Sequence, residues 1–202
     1  MKTFDLIFYI NKFYCGNDVD LSFLPSMMTR KFSKLDKAAL SALYKCYDEK
    51  SSPFLAFGSK HGQFERLAKL TEQFKSENEV SPTGFSSSVH NNTIGVFSLL
   101  NKINSPYTAI SAGDNTLSNL ICESFSQLKE CGEVLFCYAD SFEGKEVAVS
   151  AWVSKKSSEN SIKIRMTNSK KLPEEEEYSA FLKLLSGEEK YFYSPFFKLE
   201  RL

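Results

Sequence analysis

The alternation of apolar and polar residues predicts strands and helices that follow one another along the chain. Residues 3–14 are β-rich and aromatic and predict a first strand. After a loop at residues 25–30, the spacing predicts a helix with Ser33 or Asp36 as its N-terminal cap. The apolar face of this helix consists of Leu35, Ala39, Leu43 and Tyr47.

A second strand and helix repeat this arrangement. Residues 53–57 predict a short buried strand, and residues 58–62 predict a turn. The helix after this turn is expected to bury an apolar face made of Phe64, Leu67, Leu70 and Phe74.

The hydroxyl-rich residues 81–92 are predicted to form a shaped loop that enters a helix over about residues 91–103. Ile94, Phe97 and Leu100 are expected to face inward from this helix. Gly95 would allow another backbone to approach closely, because it has no Cβ.

The next segment predicts a strand at 107–111, a tight turn at 112–115 and a long amphipathic helix that ends near Gly132. The buried face of this helix consists of Leu117, Leu120, Ile121, Phe125 and Leu128. Residues 134–139 are the most hydrophobic strand, as expected for a central strand that is buried on both faces.

The last part of the chain predicts further strands and one helix. Residues 147–153 and 162–166 are expected to be two antiparallel strands around the polar loop 155–160. The acidic residues 174–177 follow a proline and are interpreted as the solvated start of a helix that continues through 181–185. The alternating elements indicate an α/β layered domain.

Composition and charge limit the classes of function that this chain can have. The 202 residues fit one soluble domain of medium size. The 25 Lys and Arg balance the 25 Asp and Glu, which argues against nucleic acid as a partner, because phosphate binding depends on clustered basic side chains. The 18 Phe and 9 Tyr are interpreted first as core and second as an exposed protein interface.

Membrane insertion and secretion are not expected from this sequence. The longest apolar run, residues 134–139, is far shorter than the roughly 20 residues of a membrane span. Residues 6–10 are apolar, but Asp5 and Lys12 flank them and no small-residue cleavage site follows, which argues against a signal peptide. The sequence therefore predicts a cytoplasmic protein.

Cofactor and metal motifs are weak. The five Cys contain no C-x-x-C pair and are predicted to be reduced, small core residues, which argues against disulfides, zinc and a thiol nucleophile. His61 and His90 lie on separate predicted loops without metal-binding spacing. Residues 58–62 lack both nucleotide-binding glycine patterns, so neither a cofactor nor a metal is predicted.

A serine hydrolase is the enzymatic alternative. It would use one of the serines at 86–88 with His90 and either Asp114 or Asp140. The nucleophile elbow G-x-S-x-G requires a second glycine, and Ser88 occupies that place. The serines at 86–88 are therefore interpreted as loop residues whose hydroxyls form hydrogen bonds with backbone groups.

Four ordered motifs indicate a family. They lie at residues 28–33 (MTRKFS), 57–62 (FGSKHG), 81–91 (SPTGFSSSVHN) and 108–114 (TAISAGD). Together they resemble the β-ketoacyl synthase-like N-terminal domain family, specifically the small chain-length-factor-like subunits of bacterial aryl polyene biosynthesis. The resemblance covers about residues 25–142, and the third motif is its most specific part.

This resemblance implies an α/β thiolase-like (ketosynthase-like) layered fold, truncated to about one half with a short C-terminal extension. An active ketosynthase contains two related βαβαβαββ halves, whereas residues 1–202 suffice for a single such domain, with extra strands and a helix in 143–202. The position expected for the ketosynthase Cys falls at Ile110 or Ser111, where there is no thiol. The two ketosynthase His belong to the missing half, and His61 and His90 do not match them.

The resemblance therefore implies a non-catalytic partner, without catalytic, cofactor-binding or metal-binding residues. This chain is expected to form a heterodimer with a catalytic β-ketoacyl synthase and to shape its acyl tunnel, in a pathway that resembles polyketide and fatty-acid biosynthesis. The strand at 107–111 would pair across the two-fold axis, and an acyl carrier protein is a second candidate partner. The residues expected at the partner interface and tunnel are Thr83, Phe85, Ser88, His90, Asn91, Gly95, Thr108 and Ile110.

Two alternatives stay open. The chain could be a stand-alone acyl-ester hydrolase or acyl-binding protein that uses residues 86–90. It could also be a structural scaffold that keeps the ketosynthase soluble without altering chain length.

Overall fold

Eight strands form one mixed sheet in the computed structural model, which describes residues 5–16, 18–142, 144–169, 171 and 175–202. The strands are β1 (Asp5–Cys15), β2 (Phe54–Gly58), β3 (Tyr107–Ile110), β4 (Glu133–Phe142), β5 (Lys145–Ser154), β6 (Ile162–Asn168), β7 (Tyr191–Tyr193) and β8 (Phe197–Arg201). Their order across the sheet is β3-β2-β4-β5-β1-β6-β8-β7. β2 is parallel to β3 and β4, whereas β5 is antiparallel to β4 and β1.

Helices fill the connections between these strands. They are α1 (Ser26–Thr29), α2 (Lys34–Cys46), α3 (Phe64–Glu77), α4 (Pro82–Ser86), α5 (Asn92–Leu100), α6 (Thr116–Cys131) and α7 (Glu177–Ser186), with a 3-10 turn at Gly113–Asn115. When the helices within each connection are grouped, β1 to β5 follow the order βαβαβαββ. This order confirms the predicted α/β layers and one half of the expected arrangement.

The helices cover both faces of the sheet. α2 and α5 pack on one face, and α6 and α7 pack on the other. β4 is buried on both faces, since Val134 and Phe136 belong to the α6 cluster while Leu135 and Cys137 belong to the α2 cluster. The central strand predicted at residues 134–139 is therefore confirmed.

The two long amphipathic helices follow their predicted patterns. Ser33 caps α2 and accepts a hydrogen bond from Asp36 N, while the Asp36 carboxylate accepts one from Ser33 N at 3.0 Å, so both candidates act together in a capping box. Gly132 ends α6 at a φ of 79°, which suits glycine. The predicted inward residues that are buried in α2 and α6 are Leu35, Ala39, Leu43, Leu117, Leu120, Ile121, Phe125 and Leu128.

Two predicted loops contain short helices. The loop prediction for residues 25–30 is wrong, because α1 lies there. Residues 81–92 contain α4, whose N-cap Ser81 accepts a hydrogen bond from Gly84 N at 3.2 Å. α5 is shorter than predicted: it ends at Leu100, and Lys102 has a left-handed φ of 53°.

The predicted pairing of the strands at 147–153 and 162–166 is wrong. These segments form parts of β5 and β6, but β1 lies between them and is antiparallel to both. The N-terminal strand is apolar enough to enter the sheet, with Phe8 and Ile10 buried. Such a non-local insertion separates two strands that are neighbours in sequence.

Two predictions of burial are also wrong. The apolar face of α3 points largely to solvent, because Leu70 is its single buried residue. In the acidic segment, Pro173 and Glu174 lie outside the described residues, and Glu177 is buried rather than solvated. The Glu177 carboxylate accepts hydrogen bonds from Ser118 N at 3.0 Å and from the Ser118 hydroxyl, so it caps the start of α6.

Candidate functional site

β3 forms one edge of the sheet. It pairs with β2 from Leu55↔Tyr107 to Gly58↔Ile110, and within the described ranges no strand pairs with its other side. The predicted interface residues Thr108 and Ile110 are half-buried in this strand. An edge strand presents unpaired backbone groups, which makes it a place where another chain can add a strand.

The predicted tunnel segment, residues 81–91, lies on the surface. None of its residues is buried, and Phe85 is 60% exposed. Thr83 is also exposed, and its carbonyl oxygen accepts a hydrogen bond from Ser87 Oγ at 2.9 Å. Ser88 is half-buried and donates its hydroxyl to Phe85 O at 2.8 Å. Serine hydroxyls here satisfy backbone carbonyls, as the sequence favoured.

His90 and Gly95 join this segment to β3. The His90 Nε2 atom lies 2.9 Å from Ile110 O, and its ring packs near Phe57 with 5.8 Å between ring centroids. A Cβ on Gly95 would lie 3.3 Å from the Tyr107 hydroxyl, so the group that approaches this glycine is a side chain of β3 and not the predicted backbone. The structure therefore brings the predicted interface residues of α4, α5 and β3 to one side of the molecule. Asn91 is exposed at the N-cap of α5.

α3 and α5 also expose apolar side chains. Phe64, Leu67 and Phe74 are more than half exposed, and so is Leu99 of α5. α3 packs against α4, since a Cβ on Gly84 would lie 2.9 Å from Leu70 Cδ2. The helical period of α3 was visible in the sequence, but periodicity cannot tell whether an apolar face meets the core or a partner.

The hydrolase residues are not assembled. Asp140 pairs with His61, with 3.0 Å between Oδ2 and Nδ1, and its Oδ1 atom accepts a hydrogen bond from Ser59 Oγ at 3.1 Å. Asp114 instead lies 2.6 Å from Lys60 Nζ. His90, the predicted base, contacts the Ile110 carbonyl as described above. The Asp140–His61 pair was missed by the sequence reasoning, because the two residues come from different strand ends that only the parallel sheet brings together.

The thiols do not supply a nucleophile at the expected place. Ile110 ends β3, and Ser111 Oγ donates to Lys60 O at 3.1 Å. Burial raises the pKa of Cys46 to about 12 and that of Cys122 to about 11, because the thiolate loses hydration. Burial also raises the pKa of Cys137 well above its usual value. The prediction of buried Cys is confirmed for Cys46 and Cys137 and is wrong for Cys15 and Cys131, which are exposed, while Cys122 is half-buried.

The described part of the chain contains neither a cluster of metal ligands nor a helix that could span a membrane. No group of three or more His, Cys, Asp or Glu side chains is placed to hold a metal ion there. Nor do those residues include a helix of the length and apolarity that a bilayer crossing requires.

The fold and the sequence together define the class. The chain belongs to the family of β-ketoacyl synthase N-terminal domains, whose family model matches residues 12–176, a longer stretch than the motifs at 25–142. Its α/β fold is thiolase-like, as expected, and corresponds to about half of a full ketosynthase chain. No curated protein matches the sequence.

Solved structures give the particular relatives. A chain in the Xenorhabdus doucetiae complex of the ketosynthase ApeO with its chain length factor ApeC is similar, with a TM-score of 0.78 and 17% identity over 97% of this chain and 100% of that chain. A β-ketoacyl synthase from Burkholderia phymatum STM815 has a TM-score of 0.57 and 13% identity over 70% of this chain and 46% of that one. The ishigamide ketosynthase/chain length factor has a TM-score of 0.54 and 16% identity, over 69% and 48%. This chain thus spans about half the length of the last two.

Proposed function

We propose that this chain is a non-catalytic, chain-length-factor-like partner of a β-ketoacyl synthase in aryl polyene biosynthesis. It forms a heterodimer with the catalytic chain and shapes the acyl tunnel. The observation that carries this proposal is the open edge of β3 together with the exposed apolar residues of α3, α4 and α5. The likeness to chains from ketosynthase–chain length factor complexes supports it, and the aryl polyene pathway rests on the sequence motifs.

The exposed apolar surface of α3, α4 and α5 suits a permanent protein partner. Its large, mostly exposed side chains are Phe64, Leu67, Phe74, Phe85 and Leu99. Monomeric soluble proteins rarely expose large contiguous apolar patches, whereas interfaces are enriched in aromatic side chains. Strand addition on β3 would supply backbone hydrogen bonds and this surface would supply apolar burial.

The lack of catalysis is supported by the residues at the nucleophile position. Carbon–carbon bond formation requires an activated thiol and groups that stabilise the developing negative charge. Ile110 and Ser111 provide no thiol, and the hydroxyl of Ser111 is bonded to Lys60 O. In the hydrolase alternative, Ser87 would need a base, but its hydroxyl donates to the carbonyls of Thr83 and Gly84 instead.

Phe85 is our candidate for limiting acyl length. Its ring projects from α4 into solvent in this chain, so it is available to enter a cavity of the partner. A bulky ring at a tunnel end would oppose longer chains, because overpacking a close-packed cavity costs about 1–3 kcal/mol. Ser88 and Thr83 flank this position on the same segment. An acyl carrier protein would meet this chain through the heterodimer, as a carrier protein occurs with a ketosynthase in the AntDE:AntF complex.

Co-expression with a ketosynthase encoded beside this chain tests the proposal. Native mass spectrometry should detect a one-to-one complex, and Phe74→Asp should abolish it. Phe196→Asp is the matched control, since Phe196 is half exposed beside β8 near the opposite edge of the sheet. A stable monomer that ignores the ketosynthase would contradict the heterodimer. Esterase activity of that monomer, lost in Ser87→Ala, would favour the hydrolase.

A further inference from the structure

Asp36 places a buried carboxylate where three helices begin. It is 1% exposed, and its Oδ2 atom accepts hydrogen bonds from Ser33 N at 3.0 Å and Ser33 Oγ at 2.9 Å. Its Oδ1 atom accepts hydrogen bonds from Gln63 Nε2 at 2.8 Å, Asn92 Nδ2 at 3.2 Å and Thr93 Oγ1 at 2.7 Å. These donors belong to the caps or first turns of α2, α3 and α5, so one carboxylate joins all three helices.

Arg66 of α3 extends this network toward α4. One of its terminal nitrogens lies 3.5 Å from Asp36 Oδ2 and donates to Lys31 O at 3.0 Å. The other donates to Ser87 O at 3.1 Å, directly after α4. A guanidinium presents several donors in a fixed plane, so it can bind these three acceptors at once.

The segment that carries Phe85 depends on such polar contacts. Residues 81–90 contain no buried side chain, so packing in the core does not fix their place. Leu70 packs against Gly84 near the start of α4, and His90 contacts Ile110 O at the end of the segment. Arg66 holds the carbonyl of Ser87 between these two points.

We propose that Arg66, itself held by Asp36, is the positioning residue that sets the place of α4 and Phe85 against the ketosynthase. The inference rests on the proposed function, because it assigns α4 to the partner interface. The polar network of Asp36 and Arg66 sets the bound position of Phe85. Arg66 itself does not line the tunnel.

Two substitutions of Arg66 test whether the planar guanidinium group, rather than its positive charge, holds α4. Arg66→Lys keeps the positive charge beside Asp36, but a single ammonium group cannot reach Lys31 O and Ser87 O together. Arg66→Met removes the charge and keeps much of the side-chain length. Both substitutions should release α4, because both lose the contact with Ser87 O.

The test compares Arg66→Met and Arg66→Lys with the native chain, each co-expressed with the ketosynthase. Amide hydrogen exchange of residues 82–90 should become about tenfold faster in both variants, the factor expected for one hydrogen bond to a charged group, while exchange in β4 stays unchanged. The product distribution should broaden, and binding of the ketosynthase should weaken about tenfold. The control is Lys45→Met, which removes the exposed ion pair between Lys45 of α2 and Asp18 and should change none of these three quantities.

Two results would overturn the inference. One is unchanged exchange in residues 82–90 with native products, and the other is a uniform acceleration across the whole chain, which indicates ordinary loss of stability. If the native chain forms no complex, the proposed function fails, and exchange in the lone chain still decides whether Arg66 places α4. A local change there keeps the positioning role, and a uniform or absent change refutes it.

Discussion

Truncation of two phenylalanines in neighbouring helices should have very different effects on the stability of this chain. Phe97 of α5 is 0% exposed and belongs to the core on the α2 face, so Phe97→Ala should lower the free energy of unfolding by about 3–5 kcal/mol. Phe85 is 60% exposed, and exposed positions usually change stability by at most about 0.5 kcal/mol. Phe85→Ala should therefore leave the fold of this chain nearly unchanged and lengthen the acyl products of the heterodimer.

The single Trp allows the stability of each variant to be measured by fluorescence. Trp152 is buried on the α2 face, so its fluorescence reports loss of that core during urea unfolding of the dilute chain. Product lengths are measured separately, with the heterodimer at saturating concentration of each variant. Phe85→Leu is the graded control, and its products should lie between those of the native chain and Phe85→Ala.

The outcome separates a tunnel residue from a packing residue. Unchanged products in Phe85→Ala, with an intact heterodimer, would remove Phe85 from the control of chain length. A loss of stability as large as that of Phe97→Ala would mean that Phe85 packs into this chain, which would refute the reasoning from its exposure.

Three further predictions concern stability and reactivity. Burial raises the pKa of Glu177 above its ordinary value of 4.5, so its contribution to the unfolding free energy should fall as pH rises from that value through the folded pKa. Urea unfolding across this pH range should show that decrease in the native chain and not in Glu177→Gln. Equal pH slopes of the unfolding free energy in the two chains would contradict the prediction. Ser33→Ala should cost about 1 kcal/mol in urea unfolding through loss of the capping box, and no cost would refute that role. With a maleimide at pH 8, mass spectrometry should find Cys131 modified and Cys46 protected until the chain unfolds.

The sequence predicted those elements whose pattern has one physical solution. α6 has a continuous apolar stripe and a terminal glycine, and residues 134–139 are apolar at successive positions; both segments are buried in the core as predicted. The capping box of Ser33 and Asp36 is likewise local, since both partners lie within one helical turn. Local signals of this kind do not depend on the rest of the fold.

The failures share a dependence on distant parts of the chain. β1 separates β5 from β6 because it pairs with β5 along one edge and with β6 along the other. The sequences of β5 and β6 give no sign of this pairing. The stripe of α3 has the same period as a buried one, and only the assembled sheet leaves Phe64 and Phe74 outside. Of the candidate site, the motifs contain the residues predicted for the interface, but they gave no sign of Arg66, whose proposed role depends on carbonyls of residues far away in sequence.

Glu177 connects the C-terminal helix α7 to the start of α6. α6 follows the position that the family resemblance assigns to the ketosynthase cysteine, and the start of such a helix favours negative charge. Here α7 packs on α6 and brings the Glu177 carboxylate to the backbone N–H of Ser118. The start of α6 is thus capped by a carboxylate of the same chain. The same packing brings residues of α7, β7 and β8 into one core cluster with α6, and β3 and β7 form the two edges of the sheet.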